Sequence, residues 1–339
     1  MGIAYEGRTI PTSFASCSIP PYFKATLPQR LEAIRNAGFD AVEMSMPDIL
    51  SYGGEIENRV IGEDDYDAIS GVAGKIRILT EQLGLQILML QPLSRFEGWS
   101  KHKHAQEKEA ALKRARGWIK IMQALGTDML QVGSTDSEDA SPCLDQHAED
   151  LRELADMLAE KGFRLAYENW CWATHASAWK DVWEISRKAD RPNIGLCLDT
   201  FQSAGGEYGD PTTESGRIED LNPSELASRW DHSLTELRRS VPADKIYLLQ
   251  ISDAYRMRPP LFGTSERPRS VWSHDYRPLP YSGGYLPIED FLGSVLQTGF
   301  RGWLSVEVFD SKPKEGMSLE DYTKAAMHSL TRLLVSSLK

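Results

Sequence analysis

Four apolar stretches of this 339-residue chain end on acidic or amide side chains. Glu168 closes RLAYE, Asp199 closes NIGLCLD, and Gln250 and Glu307 lie near the ends of IYLLQISD and GWLSVEVF. Burying a carboxylate beside an apolar core is costly unless the group is paired, hydrogen-bonded or bound to a metal. All four side chains offer oxygen, which suits Mg²⁺, Mn²⁺ or Co²⁺ better than a zinc ion held by thiolates. These residue types predict a divalent metal site.

The four stretches belong to a regular alternation of strand-like and helix-like segments. Strand-like runs recur about eight times, as SFASCSI, AVEMS, QILMLQPL, DMLQVGS, RLAYENW, NIGLCLDT, IYLLQISD and GWLSVEVF. Helical periodicity lies between them, as in Ile69, Val72 and Ile76 before Gly84, where a glycine cap is expected. Alternating strands and helices predict parallel pairing, and eight units predict one (β/α)8 TIM barrel spanning residues 1–339. An open doubly wound sheet fits less well, because no glycine-rich phosphate loop follows the first strand.

Strand side chains alternate between two faces, so parity decides which of them point into the barrel. Branched residues belong against the helices, which leaves Glu168, Asp199 and Glu307 facing the interior. In the seventh strand Gln250 and Asp253 have opposite parity, and regular alternation selects Gln250. Neighbouring strands lie roughly 5 Å apart, so these strand ends converge. Three acids with no basic strand-end partner would repel one another, and a bound cation removes the conflict.

Two structural roles compete with metal binding for each acid taken alone. A carboxylate at a strand end can cap the following helix, or it can pair with an arginine. The matched parity on adjacent strands favours the metal for the whole set. Glu43, in AVEMS, also faces the interior but from across the barrel. We expect it to touch the ligands or the substrate, and a purely structural role fits it equally well.

The composition excludes several classes of function. A net charge of −11 would repel phosphate backbones, so no nucleic-acid partner is expected. No apolar run approaches membrane-spanning length, and the first residues do not form a secretory signal pattern. Four widely spaced cysteines without CxxC indicate reduced thiols. We expect a cytoplasmic protein without membrane contact, and the sequence leaves open whether it forms a homo-oligomer.

Three long connections follow strands at the predicted catalytic end of the barrel, at about residues 46–63, 201–222 and 254–287. Loops on that side build the active site of a TIM barrel. The last connection contains five arginines and no lysine: Arg256, Arg258, Arg267, Arg269 and Arg277. Such a set indicates recognition of a planar anion, and ion pairs with the acidic surface are the alternative.

The most specific stretches of the chain are AYENWCWATHASAW and DRPNIGLCLDTFQSAGGEYGDPTTESG. They are accompanied by LQPLSRFEG, LLQISDA, YSGGYLPIEDF and GFRGWLSVEVF. Taken in their order along the chain, and over nearly all of it, these stretches resemble the 3-dehydroshikimate dehydratases of quinate catabolism, which are xylose-isomerase-like metal barrels. The resemblance implies a lyase that converts 3-dehydroshikimate to protocatechuate, with Glu168, Asp199, Gln250 and Glu307 as the metal ligands.

The chain departs from this resemblance at Gln202, where many relatives carry a histidine that is a candidate for proton transfer. An amide cannot act as a base, so another group must take the proton if the reaction is the same. The candidates are the strand-end carboxylates Glu168 and Glu307, and His175 and His274 on loops. An isolated loop histidine is often merely exposed.

The resemblance also implies a substrate that carries a carboxylate far from the metal. Arg256, Arg277 and Arg95 are the predicted partners of that group. The aromatic residues Trp170, Trp172, Phe201 and Trp272 are candidates to wall the ring of the substrate, although aromatic residues in barrel loops often serve only in packing. Glu43 is a further candidate for contact with the substrate.

Two other functions share the same predicted site. The first is a sugar or polyol isomerase or epimerase, which would need no cluster of arginines. The second is a ligand-binding homologue without catalysis, a hypothesis that Gln202 keeps open. The zinc-binding DNA-repair relatives of the barrel use many histidines, and this acidic chain with seven scattered histidines is unlike them.

Overall fold

A computed structural model of the chain describes residues 2–99, 104–263 and 266–337. Its strands are β1 Ile3–Tyr5, β2 Arg8–Ile10, β3 Thr12–Ala15, β4 Ala41–Ser45, β5 Gln86–Leu93, β6 Met129–Gly133, β7 Arg164–Glu168, β8 Ile194–Asp199, β9 Ile246–Ile251, β10 Tyr276–Arg277, β11 Trp303–Val306 and β12 Phe309–Asp310. Its helices are α1 Leu27–Asn36, α2 Met46–Glu57, α3 Tyr66–Leu83, α4 His104–Leu125, α5 Leu144–Ala159, α6 Trp179–Ala189, α7 Thr200–Glu207, α8 Pro223–Ser240, α9 Pro268–Asp275, α10 Ile288–Gln297 and α11 Leu319–Ser336.

Eight of these strands close into a parallel barrel in the order β11, β3, β4, β5, β6, β7, β8 and β9. Each barrel strand overlaps one of the eight strand-like runs, and the predicted TIM barrel is confirmed. Two antiparallel pairs lie outside the barrel. One joins β1 to β2, and the other joins β10 to β12.

Helix α3 illustrates how the sequence determines these elements. Asp65 precedes the helix, and its side chain accepts a hydrogen bond from the amide of Ala68 at 3.1 Å. The apolar face that includes Ile69 and Ile76 is fully buried. The helix ends at Leu83 because Gly84 adopts a φ of 67°, a conformation that glycine reaches without strain.

Side-chain parity separates two apolar layers in the barrel as predicted, except in β5, where the adjacent residues Leu88 and Met89 both join the inner layer. Alternate residues of β8, such as Leu196 and Leu198, join the large core between strands and helices. A second cluster consists only of strand residues: Ala41, Leu88, Met89, Met129, Ala166, Cys197 and Leu248. Cys197 precedes Asp199 by two positions and Leu248 precedes Gln250 by two. The second cluster is therefore an apolar floor inside the barrel, beneath the polar strand ends.

The connection at residues 46–63 is largely helical, and the expectation of a long loop there is wrong. Helix α2 occupies Met46–Glu57. The side chain of Ser45 accepts a hydrogen bond from the amide of Asp48, and Pro47 lies in the first turn, where its fixed φ suits a helix. The other two long connections contain α7 and α9. The catalytic face of the barrel is therefore covered partly by short helices.

No helix among the described residues is long and apolar enough to cross a membrane. The four cysteines, Cys17, Cys143, Cys171 and Cys197, are all free thiols.

Candidate metal centre and active site

Three carboxylates meet at the C-terminal end of the barrel. Glu168 ends β7, Asp199 ends β8 and Glu307 directly follows β11. Each offers an oxygen, and these oxygens all lie within 4.8 Å of one another. All three side chains are buried. The structure thus brings together the three acids that the parity of the strands placed in the barrel interior, while their role as metal ligands stays a prediction.

Two glutamine amides link Glu307 to a fourth buried acid, Glu43. Gln250 Nε2 donates to Glu43 Oε2 at 2.8 Å and to Glu307 Oε1 at 3.1 Å. Gln91 Nε2 donates to the same two oxygens, at 3.0 Å each. Gln250 Oε1 accepts from the Cys197 thiol at 3.3 Å. Glu43 therefore lies one amide away from Glu307, while its contact with a substrate stays a prediction.

Glu168 is held by one oxygen and leaves the other free. Its Oε2 accepts hydrogen bonds from Gln131 Nε2 and from Trp170 Nε1, the latter at 3.0 Å. Its Oε1 is buried and has no hydrogen-bond partner among the residues that the structure describes. The Trp170 ring fits because residue 133 is glycine, where an added Cβ would lie 2.2 Å from ring atoms. An unpartnered carboxylate oxygen inside an acid cluster is the feature expected of a cation ligand.

No basic residue ends a barrel strand beside the acids, but Arg277 of the connection at 254–287 lies among them and supplies a basic partner that the argument from strand ends did not include. Its Nη2 donates to Asp199 Oδ2 and, at 3.1 Å, to Glu307 Oε2. Its Nε and Nη1 donate to Ser252 Oγ at 3.0 Å and Ser273 Oγ at 3.3 Å. The guanidinium is 1% exposed. The pairing of β10 with β12 places Arg277 beside the segment that follows Glu307.

Asp199 fills both of the structural roles that competed with metal binding in the sequence. Its Oδ1 caps α7 by accepting from the amides of Phe201 at 2.6 Å and Gln202 at 3.2 Å. Its Oδ2 pairs with Arg277. These contacts explain why a carboxylate can end this core strand, and they leave Oδ2 as the oxygen that faces the other acids.

Burial makes the acids hard to ionise together. Desolvation, followed by the charge of Glu307, raises the pKa of Glu43 to about 8. Desolvation, followed by the charges of Glu307 and Asp199, raises the pKa of Glu168 well above its usual value. Desolvation also raises the pKa of Asp199 to about 7, although Arg277 opposes that rise. Arg277 alone is insufficient to hold every carboxylate in its charged form, and a nearby divalent cation would supply the missing positive charge.

The donor set fits a hard divalent cation. The three acids offer only oxygen, Glu168 Oε1 has no other partner, and Gln250 adds an amide in contact with Glu307. Carboxylate and amide oxygens are ligands of Mg²⁺ and similar ions. The acid group can therefore hold a divalent metal ion.

The remaining predicted catalytic residues lie in structural hydrogen bonds. Gln202 is buried, and its Oε1 accepts from the amide of Cys171 at 3.0 Å, which ties α7 to the loop after β7. His175 is exposed, and its Nε2 lies 3.1 Å from the carbonyl of Ala140. His274 is also exposed, on α9, and its Nδ1 lies 2.7 Å from the carbonyl of Ser270.

Of the three arginines predicted to bind an anion, only Arg277 contacts the acid group. Arg95 forms an exposed two-point pair with Asp136, at 2.6 and 3.2 Å. Arg256 is exposed and donates to the carbonyl of Glu214, joining two of the long connections.

A cavity of about 500 Å³ opens on this face of the barrel. Its lining includes Arg95, Trp172, Arg267 and Ser270. The Trp172 ring stacks on the ring of Trp170 at 5.0 Å, and Trp170 in turn touches Glu168. The cavity is thus linked to the acid group through a pair of stacked indoles.

Sequence reasoning missed Gln91 and Gln131, which each donate to an acid of the group. A signal for both was present. Gln91 follows Met89 by two positions and Gln131 follows Met129 by two, so alternation places each amide directly above the apolar floor.

Comparison with known proteins places the chain among its relatives. Residues 31–333 match the xylose isomerase-like TIM barrel family. A 3-dehydroshikimate dehydratase of Neurospora crassa is 31% identical over 307 residues, covering 86% of this chain and 83% of that protein. A 3-dehydroshikimate dehydratase of Pseudomonas aeruginosa is 34% identical over 287 residues, which are 84% of this chain but only 36% of that longer protein.

Among solved structures, a xylose isomerase-like TIM barrel/4-hydroxyphenylpyruvate dioxygenase fusion protein is similar with a TM-score of 0.72 and 28% identity. The match covers 96% of this chain and 43% of the fusion protein. Family, relatives and barrel topology agree: the chain belongs to the xylose isomerase-like TIM barrel family, in which its relatives include 3-dehydroshikimate dehydratases.

Proposed function

We propose that the chain is a hydro-lyase that converts 3-dehydroshikimate to protocatechuate and water, with Mg²⁺, Mn²⁺ or Co²⁺ as its cofactor. The observation that carries this proposal is the buried group of Glu168, Asp199 and Glu307, with the amide of Gln250 beside it, in a chain related to 3-dehydroshikimate dehydratases over most of its length.

The chemistry of the substrate defines what the site must do. 3-Dehydroshikimate has a ring ketone next to a carbon that bears a hydroxyl group and an acidic proton. Removal of that proton gives an enolate, and loss of the hydroxyl from the following carbon releases water. Tautomerisation then yields the aromatic product. A divalent ion held by Glu168, Asp199, Gln250 and Glu307 would supply positive charge against the enolate oxygen.

The proton acceptor in this proposal is a carboxylate of the acid group. Glu168 and Glu307 are the two candidates. Glu168 Oε1, which has no hydrogen-bond partner among the described residues, can bind the metal ion or take the proton, and Glu307 takes the proton if Glu168 Oε1 binds the ion. Gln202 has no basic atom, and its amide oxygen is engaged with Cys171. His175 lies on the exposed loop and bonds to a carbonyl. Many relatives carry a histidine that is a candidate for proton transfer. In this chain, a carboxylate takes that role.

Substrate orientation is proposed to come from the groups that surround the acids. Arg277 contributes a fixed positive charge that can face an anionic oxygen of the substrate. Arg95 lines the cavity above Trp172, and Arg256 braces the neighbouring connections. Trp170, stacked over Trp172 and tied to Glu168, is placed to cover the substrate ring.

The test is turnover by purified protein. The chain is stripped with EDTA, and 3-dehydroshikimate is added with and without Mn²⁺, Mg²⁺ or Co²⁺. We expect the ultraviolet absorbance of the catechol product to appear only when metal is present. Full activity in exhaustively demetallated protein would remove the metal from the proposal. Inactivity with every metal, together with conversion of a ketose or polyol, would replace the dehydratase with an isomerase or epimerase.

The base is tested separately with Glu168→Gln and Glu307→Gln. The residue that transfers the proton should be the one whose variant still binds Mn²⁺ but loses turnover. Equal turnover in both variants and in wild type would exclude the acid group as the source of the base.

A further inference from the structure

Arg277 shares its oxygen partners with the predicted metal ion. Its Nη2 donates to Asp199 Oδ2 and to Glu307 Oε2. The other oxygen of each acid is engaged elsewhere. Asp199 Oδ1 accepts from the two amides that begin α7, and Glu307 Oε1 accepts from Gln91 and Gln250. Asp199 Oδ1 and Glu307 Oε1 each already accept two hydrogen bonds, so the oxygens with room for a metal ion are the two that Arg277 holds.

The guanidinium of Arg277 contacts the same two segments that carry Asp199 and Glu307. The guanidinium carbon lies 4.7 Å from the centre of the Phe201 ring and 5.2 Å from that of Phe309. Phe201 follows Asp199 by two residues, and Phe309 follows Glu307 by two. Contacts of this kind favour a cation over an aromatic face. The position of Arg277 is therefore specified by the architecture of the site.

The charges require a cation beside these acids, whether or not a metal ion is bound. The three clustered carboxylates carry up to three negative charges when ionised, and Arg277 offsets one of them. A divalent ion added to Arg277 would bring the group to neutrality. Without either cation, buried like charges would face each other, which is strongly unfavourable.

We propose that Arg277 is a stand-in cation. It holds Asp199 and Glu307 together when no metal is bound, and it yields their Oδ2 and Oε2 atoms to the metal ion when the ion binds. Its guanidinium is then released toward the substrate. The stand-in role concerns metal binding, and only the contact with substrate rests on the dehydratase function proposed above.

The test compares Mn²⁺ binding by EDTA-stripped wild type and Arg277→Met in isothermal titration calorimetry. If Arg277 competes with the ion for two oxygens, its removal should tighten Mn²⁺ binding by about tenfold or more, which equals about 1.4 kcal/mol. Arg269→Met is the matched control. Arg269 lies on α9 and donates to the carbonyls of Gly205 and Gly209, so its loss should leave Mn²⁺ affinity unchanged.

Thermal melts supply an independent measurement on the same proteins. Metal-free Arg277→Met should melt below metal-free wild type, and saturating Mn²⁺ should bring the two melting temperatures together. Equal or weaker Mn²⁺ binding by the variant would overturn the proposal, because it would show that Arg277 keeps its place beside the bound ion. So would a melting difference that persists unchanged under saturating Mn²⁺.

Arg277→Lys covers the case in which the methionine variant does not fold. A lysine ammonium can pair with one carboxylate but lacks the fork of the guanidinium. The lysine should compete with Mn²⁺ less well than the arginine does. Arg277→Lys should therefore bind Mn²⁺ more tightly than wild type but less tightly than Arg277→Met. No gain in affinity would overturn the proposal. These assays contain no substrate, so a protein that binds Mn²⁺ as expected but does not dehydrate 3-dehydroshikimate refutes only the proposed function.

Discussion

Replacing Gln91 by leucine tests whether the glutamine amides hold the acid group together. Gln91 is buried, and its Nε2 donates to Glu43 Oε2 and Glu307 Oε1, both at 3.0 Å. Leucine has a similar size and no donor. The substitution therefore removes two hydrogen bonds to carboxylates while leaving the apolar packing of the side chain nearly unchanged.

The expected loss of stability follows from these contacts. A hydrogen bond to a charged group is worth about 1.5–3 kcal/mol. Gln250 still donates to the same two oxygens, and leucine adds buried apolar surface, so we expect a net loss of about 2–4 kcal/mol. At about 2.1 cal/mol/K per residue, a 339-residue chain has an unfolding entropy of about 0.7 kcal/mol/K. The melting temperature should therefore fall by about 3–6 °C.

Calorimetry of the EDTA-stripped proteins measures this shift, and a Mn²⁺ titration measures the second effect. Residues that orient metal ligands typically contribute 10–100-fold to metal affinity, so Mn²⁺ should bind Gln91→Leu more weakly by about that factor. Gln146→Leu is the control. Within the described part of the chain the Gln146 side chain donates to the carbonyl of Trp99 and to no acid of the group, so its loss should leave Mn²⁺ affinity unchanged. A Gln91→Leu protein that melts with wild type and binds Mn²⁺ equally well would refute the bridging role.

Three further predictions concern Asp199, Gly133 and the buried acid Glu97, whose Oε1 accepts hydrogen bonds from the amide of Thr135 at 2.7 Å and the hydroxyl of Tyr167 at 2.9 Å. Asp199→Asn keeps an acceptor for the cap of α7 but removes a buried partner of Arg277, so the metal-free variant should melt lower by about 3–5 °C and lose nearly all Mn²⁺ affinity and turnover. Gly133→Ala should displace the Trp170 ring from Glu168, because the added Cβ would overlap ring atoms. We expect kcat to fall at least tenfold, which corresponds to a rise of about 1.4 kcal/mol or more in activation free energy. Unchanged kinetics would show that the ring does not position this acid. Burial raises the pKa of Glu97 to about 7. Its protonated form therefore fits the folded protein best, so stability is full below about pH 4.5 and is lost progressively as the pH rises to about 7. Melts of Glu97→Gln and wild type should accordingly favour the variant more at pH 8 than at pH 5, and a constant difference would contradict the raised pKa.

The barrel could be predicted because its signals are local and periodic. Strand side chains alternate with a period of two, so the position of Asp199 relative to Leu198 determines which of them enters the interior. The glycine after α3 marked the end of that helix for a similar reason, since Gly84 has a positive φ. Helix α2 was missed although Ser45, Pro47 and Asp48 form a helix start, because the connection was interpreted by its position after a strand.

The composition of the acid group was only partly predictable. Parity identified Glu168, Asp199 and Glu307 because all three lie on regular strands or directly after one. Arg277 lies in a long connection without periodicity, and it reaches the group through the pairing of β10 with β12, which the sequence pattern does not reveal. Gln91 could have been found by the same alternation, but an uncharged amide gave no reason to look for a partner.

The apolar floor of the barrel imposes an order of events on the proposed enzyme. Met89, Met129, Ala166, Cys197 and Leu248 fill the interior directly beneath the polar strand ends, and they are all fully buried. Ions and water cannot cross a closely packed apolar layer. The metal ion and the substrate must therefore reach the site through the same opening at the C-terminal face. The metal ion must then enter before the substrate and leave after the product, because a bound substrate or product blocks the path of the ion. Protocatechuate should therefore slow the removal of Mn²⁺ by a chelator. This slowing would result from the closed apolar floor and not from the strength of the metal ligands.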